Sequence, residues 1–314
     1  MTCSSQFRSL SYSAFVALLL LFFAPGSLFA RPQDPVPQIS VSSLCTQADS
    51  GDPLAIRTLS QFLLRQPPGA PDYPVALHWL QRRASSHDPE ASFLLGYLFE
   101  HGHGLPQDYA RAASSYKLAA AQNHPLALNN LASLYQHALG VPRDLQKAFD
   151  LYSASASLGN SVAQTNLASM YYTGAGVPRD YTSSARWFRA AADQGDSTAQ
   201  HNLGVLYYLG QGLPRDLVAS AHWVGRAAVN GNALAQTDLA FLYETGAGVP
   251  QDYFAAFLWY SRAIASGNTS GSVRRDSIAS HLSRKQRDEA QALAFSSRSP
   301  SQPDPPGSLS LLPH

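Results

Sequence analysis

The residues of this sequence that could do chemistry fall into five groups. Ser114-Ser115-Tyr116-Lys117 has the S-x-x-K spacing with which acyl-serine enzymes activate a nucleophile. That chemistry also needs a K-T-G strand beside an oxyanion hole, and neither a K-T-G nor a G-x-S-x-G elbow occurs, so ordinary helix residues are the better account. His101, His103 and His137 are imidazoles of the type that holds Zn²⁺ or Cu²⁺, although exposed loop polar residues are the better account. The glycine pairs Gly174/Gly176 and Gly210/Gly212 suggest phosphate cradles only superficially, since no Lys-Ser/Thr follows them and they come after helical segments. The glutamates, Glu90, Glu100, Glu244 and Glu289, are too scattered for an acid/base pair. The fifth group is a polar series, Asn130, Asn166, Asn202 and Asp238, accompanied by Tyr172, Tyr208, Phe93 and Phe241. An amide both donates and accepts, so such a ladder can grip an extended peptide backbone while the aromatics anchor it. The same recurrence also suits asparagines that bond within their own repeats and order the stack.

The elements that must position these residues follow from a period of 36. Asp72, Asp108, Asp144, Asp180, Asp216 and Asp252 keep that step, as do Gly104 to Gly248, Pro106 to Pro250 and Tyr135 to Tyr243. Six units result: 55–90, 91–126, 127–162, 163–198, 199–234 and 235–270, the first with a divergent loop at 66–71. Each reads as two helices. The slot before the first helix holds Asp52, Asp88, Asn160, Asp196, Asn232 and Asn268, with His124 the exception, and Asp or Asn there can accept from an unpaired backbone N–H. Pro53, Pro89 and Pro125 come next, where the missing N–H costs nothing. Small and apolar residues then recur at helical spacing (Ala163, Leu167, Ala168, Met170, Tyr171), a Gly-Ala-Gly-Val-Pro loop breaks the chain, and Asp180 opens a second helix with Trp187, Phe188, Ala191 and Ala192 inward. One such hairpin cannot bury its apolar faces, so neighbours must stack. Ser283 with Gln286 forms a capping-box pattern that opens a last helix with Ala290, Leu293 and Ala294 on one side.

Composition narrows the function classes. Only 14 % of residues are charged and the net charge is +1, so no basic stripe exists for nucleic acid. Cys45 is alone beyond Cys3, which leaves no internal disulfide and no thiolate metal cluster. Arg8 followed by the apolar run 14–24 and a break at Pro25-Gly26-Ser27 reads as a signal peptide ending at Ala30, an uncleaved membrane anchor being the alternative. The layout is a leader (1–30), a Pro-rich linker (31–44), repeats within 45–270, a helical cap (271–297) and a disordered tail (298–314).

The string 163–180, Ala-Gln-Thr-Asn-Leu-Ala-Ser-Met-Tyr-Tyr-Thr-Gly-Ala-Gly-Val-Pro-Arg-Asp, with Ala191-Ala192 and Gly195-Asp196, resembles the Sel-one-like repeat, a relative of the tetratricopeptide repeat. Ala138, where the other loops have glycine, and Val224, where an aromatic is usual, depart from the pattern. The resemblance implies an all-α, right-handed α/α superhelix (solenoid) of six two-helix repeats with a C-terminal capping helix, acting as an adaptor. In bacterial members it implies an envelope setting. A cysteine-rich branch of the family is associated with penicillin binding and β-lactamase activity, but this chain lacks those cysteines. The expectation is therefore a monomeric, periplasmic or secreted scaffold that catalyses nothing, needs no cofactor or metal, and binds a protein or peptide through Asn130, Asn166, Asn202, Asp238, Tyr172, Tyr208 and Phe241. Envelope carbohydrate is the alternative ligand.

Overall fold

Helix starts follow the polar punctuation of the chain. In the computed structural model, which describes residues 40–296, Asp52, Asp88, Asn160, Asp196 and Asn232 each accept a side-chain hydrogen bond from a first-turn N–H, satisfying a donor that has no acceptor within its own helix. His124 does the same work. Its Nδ1 accepts from the Ala127 N–H at 3.2 Å, its Nε2 lies 3.0 Å from Glu90 Oε2, and its ring stacks on Phe93 with centroids 4.7 Å apart. On the second helices Asp108, Asp180, Asp216 and Asp252 cap in the same manner, whereas Asp72, beside the divergent loop, makes no side-chain cap bond.

The elements run α1 (Val41–Asp49), α2 (Pro53–Arg65), α3 (Tyr73–Ser85), α4 (Pro89–His101), α5 (Tyr109–Ala120), α6 (Pro125–His137), α7 (Leu145–Ser157), α8 (Ser161–Thr173), α9 (Tyr181–Asp193), α10 (Ser197–Leu209), α11 (Leu217–Val229), α12 (Ala233–Thr245), α13 (Tyr253–Ala265), α14 (Ser272–Ile278) and α15 (Arg284–Phe295). Short 3₁₀ turns precede and follow α14. No strand occurs among the described residues. The leader and the tail lie outside them.

The Pro-rich linker expected to reach residue 44 stops sooner. Ser40 accepts from the Ser43 N–H and starts α1, which buries Val41 and Ala48 against the first repeat. Asp49 at its end accepts from Trp79 Nε1 at 3.0 Å and pairs with Arg82, so α1 closes the open end of α2 and α3.

Two compact units divide at Asp144–Leu145, the first holding α1–α6 and the second α7–α15. Within each, helices pack on their chain neighbours: α3 on α4, α4 on α5 and α5 on α6 in the first; α7 through α13 in succession in the second, with α14 and α15 both lying on α13. Alanines 112, 113 and 119 in the first unit, and 191, 192 and 199 in the second, are fully buried where the helices meet. Their lack of bulk lets the axes approach while Tyr116, Phe188 and Leu203 fill the space between. At the C-terminal end the Ser283–Gln286 capping box is formed, and Ala290 and Ala294 are buried. Leu293, expected beside them, is 41 % exposed.

Each first helix but α2 closes on a left-handed residue. That residue is glycine in α4, α8, α10 and α12, but in α6 it is Ala138, with φ 59° and ψ 37°. An L-residue held there costs roughly 1–2 kcal/mol, and glycine gives back about 0.4–1 kcal/mol through its freer unfolded chain. Ala138→Gly should therefore raise stability by about 0.5–1 kcal/mol, seen as a higher urea midpoint with an unchanged slope.

Candidate functional site

The polar series on the first helices occupies one register, the sixth residue of α6, α8, α10 and α12, but its members meet different surroundings. Asn130 is 3 % exposed and belongs to an internal network of the first unit. There, Tyr116 Oη donates to Glu100 Oε2 at 2.6 Å and accepts from Asn130 Nδ2 at 3.1 Å, while Asn130 Oδ1 accepts from Asn129 Nδ2. In the second unit Asn202 is 8 % exposed, whereas Asn166 and Asp238 are half-buried. Asp238 Oδ2 lies 2.7 Å from Nε2 of His201, one repeat earlier, which ties α10 to α12.

Glu100 shows what a buried charge requires in this fold. Burial pushes its carboxyl up from the ordinary glutamate value, and the Tyr116 hydroxyl and His101 restrain the rise. The same pair recurs four repeats later, where Tyr260 Oη donates to Glu244 Oε2 at 2.7 Å. Burial raises the Glu244 carboxyl too, but Arg274 outweighs it. Its Nε and Nη2 bonds at 2.9 and 3.0 Å, with the tyrosine bond and the arginine charge, leave Glu244 below its usual value. Burial and that carboxylate together drive the Tyr260 phenol strongly upward. Where the first helix carries Tyr172 or Tyr208 in place of this glutamate, the second carries Phe188 or Val224, side chains with no hydroxyl to satisfy.

Ser114 lies mid-helix in α5, exposed, and donates to the Ala110 carbonyl at 2.9 Å; Lys117, one turn on, sits 5.9 Å from the Tyr135 ring centroid. His101 and His137 are exposed helix ends whose Nδ1 atoms bond to the carbonyls of Tyr97 and Ser133. His103 instead turns edge-on to Tyr73, 6.1 Å away. No group of three or more His, Cys, Asp and Glu side chains among the described residues could hold a metal ion.

The aromatic members of the series fare differently from Asn130. Tyr172, Tyr208 and Phe241 are half-buried on α8, α10 and α12, and the rings of Tyr208 and Phe241 meet at 6.4 Å. Tyr172 meets Tyr181 at 5.2 Å, and Arg179 lies 5.4 Å from the Tyr181 ring. Arg215 lies 5.8 Å from the Tyr208 ring and its Nε donates to the Tyr208 carbonyl at 3.0 Å; Arg274 covers Phe241 at 4.7 Å. The outcome is an edge of alternating aromatic rings and guanidinium groups along the second unit.

Sequence reasoning passed over a second ladder. Gln164, Gln200 and Gln236, spaced by 36, donate to the carbonyls of Ala156, Ala192 and Ala228, each at 3.2 Å, and so bind each first helix to the end of the helix before it. Gln194 and Asn230 then donate to Gln164 and Gln200. The residue one repeat further is Ser266, which is too short to continue the chain, and Gln236 Oε1 is left buried without a partner. The recurrence of glutamine was visible in the sequence; its acceptors were not.

Compared with known protein families, the chain matches the Sel1 repeat six times, at residues 59–87, 89–124, 125–160, 161–196, 197–232 and 233–268. Among solved structures it is similar to c5321, a protective antigen of uropathogenic Escherichia coli strains displaying an SLR fold. The identity is 31 %, the TM-score 0.71, and the match covers 80 % of this chain and 54 % of that one. It is also similar to a Sel1 repeat protein from Oxalobacter formigenes, at 22 % identity and TM-score 0.63, covering 84 % of this chain and 98 % of that one. The chain thus spans about half the length of the Escherichia coli antigen. No curated protein matches it.

Proposed function

Because the chain belongs to the Sel1 repeat family, we propose that it is an exported, non-catalytic scaffold that holds an extended segment of a partner protein along the first helices of its second unit. Proteins of this family are typically protein–protein interaction scaffolds and generally non-catalytic. The observation that carries the reading is the run of half-buried aromatics, Tyr172, Tyr208 and Phe241, on three consecutive first helices. Large amphipathic rings at a rigid surface are the side chains on which binding energy concentrates. Asn166 and Asp238 share one register on α8 and α12, Asp238 with Oδ2 on His201, and amide and carboxylate groups are of the kind that bonds a peptide backbone. Asn130, built into the core of the first unit, is assigned an ordering role instead. The leader pattern over residues 1–30 supports export to the cell envelope. No described helix is long and apolar enough to cross a membrane.

Crosslinking of the full chain in its native envelope, followed by mass spectrometry, tests the reading. A Tyr172→Ala, Tyr208→Ala double variant should recover at least tenfold less of the crosslinked partner while keeping its helical circular dichroism at the assay temperature. Undiminished recovery would remove the aromatic run from the binding surface.

A further inference from the structure

We propose that the loop-side edge of the second unit reads negative charge on the partner: Arg179, with Tyr172 and Tyr181, and Arg215, with Tyr208, are two stations for an extended acidic peptide whose carboxylates recur about every third residue. The inference rests on the scaffold reading and adds the chemistry of what is held.

Charge complementarity carries it. Arg179 and Arg215 stand one repeat apart, exposed, each directly after the loop proline. Neither has a carboxylate within 4.0 Å among the described residues, unlike Arg82, Arg83, Arg274 and Arg275. The acids of this edge are already engaged. Asp180 and Asp216 accept the first-turn N–H groups of α9 and α11, Asp238 faces His201, and Glu244 is held by Arg274 and Tyr260. Arg215 spends only Nε on the Tyr208 carbonyl, so the forked Nη–H groups remain to meet a carboxylate side on.

Spacing agrees with this chemistry. Side chains meet between first helices one repeat apart, His201 of α10 with Asp238 of α12 at 2.7 Å and Tyr208 with Phe241 at 6.4 Å. Arg179 and Arg215 follow α8 and α10, the first helices of successive repeats, and a step on the order of 10 Å between them is one that about three residues of extended chain cover at roughly 3.3 Å each. The aromatic beside each guanidinium excludes water from one side of the pair, where a fully exposed ion pair would contribute little.

The chain supplies its own control. Gln107 and Gln251 occupy the same slot in other repeats, and their Nε2 atoms close the loop on the carbonyls of Glu100 and Glu244, each at 2.8 Å. An Arg179→Gln, Arg215→Gln variant therefore removes two charges while keeping a side chain this fold already uses there. Fluorescence anisotropy of the full chain with a labelled 13-residue Ser/Gly peptide carrying Glu at every third position measures the effect. The Glu peptide should bind, weaken as salt rises, and bind at least tenfold more weakly to the double variant; a Gln counterpart peptide should lose the same factor. An Arg186→Gln, Arg189→Gln variant on α9 should bind as the parent does. Absence of binding, an unchanged affinity in the edge variant, equal binding of the Gln peptide, or equally strong competition by hyaluronate would each overturn the proposal. If the Glu peptide fails while Tyr172→Ala, Tyr208→Ala still loses the native partner, the acidic-peptide inference falls and the scaffold reading stands.

Discussion

Gly212→Ala is expected to cost the second unit about 3 kcal/mol. Two effects add there. The residue sits at φ +70°, where a Cβ costs roughly 1–2 kcal/mol. The Cβ would also lie 2.1 Å from the Tyr181 carbonyl oxygen and 2.3 Å from its carbon, so the first turn of α9 would have to retreat. Forcing extra atoms into a closed contact costs typically about 1–3 kcal/mol. Gly231 separates the two effects: its φ is +85°, yet nothing lies within 4 Å of its added Cβ. Gly231→Ala should therefore lose only the backbone share, about 1 kcal/mol. Urea unfolding followed by circular dichroism measures both, and equal losses would show that the close approach of loop to preceding repeat contributes nothing. Gly248 repeats the test one step along, with its Cβ 2.0 Å from the Leu217 carbonyl oxygen.

Tyr116→Phe should destabilise the first unit by about 2 kcal/mol at neutral pH, since a hydrogen bond to a charged group is worth roughly 1.5–3 kcal/mol. The lost hydroxyl leaves the Glu100 carboxylate without its 2.6 Å donor and Asn130 Nδ2 without that acceptor. The pH dependence has a definite sign. Burial holds the Glu100 pKa above its unfolded value, so its contribution to stability is full below the unfolded pKa and is lost as pH rises through the folded one. Removing the tyrosine bond raises the folded pKa further, since that bond lowers it in the parent. The deficit of Tyr116→Phe should therefore be largest at neutral pH and shrink on acidification towards the ordinary glutamate range. Adding Glu100→Leu should recover most of the loss at neutral pH, because removing both partners leaves no buried charge to satisfy. Stability measured against pH for the parent and the two variants decides it; a deficit that grows on acidification would contradict the assignment.

What could be read before the structure was known is local. The cap slots from Asp52 to Asn268 work as their residue types require, because an N-cap bond spans two or three residues and its geometry is set by the chain nearby. Even His124 keeps the cap, since an imidazole nitrogen can accept where an aspartate oxygen does. The limits of that local reading appear where the partner is distant. Helix α1 begins inside the segment read as linker because contacts that hold it, Asp49 against Trp79 and Arg82, lie 30 or more residues away. Asn130 and Asp238 share one register, yet one is sealed beneath Tyr116 and the other meets His201, a difference set by residues 14 and 37 positions distant.

The sequence by itself determined the repeat, its helix boundaries and the stacking of hairpins too small to stand alone, because a 36-residue period is written in caps, turns and apolar spacing that act within a few residues. Only the tertiary structure decided which polar side chains of that repeat are consumed inside it and which guanidinium and aromatic groups remain for a partner. Hydrogen bonds between repeats draw on residues about 30 positions apart, and whether each group finds its complement there depends on side-chain length and burial, which the period does not encode.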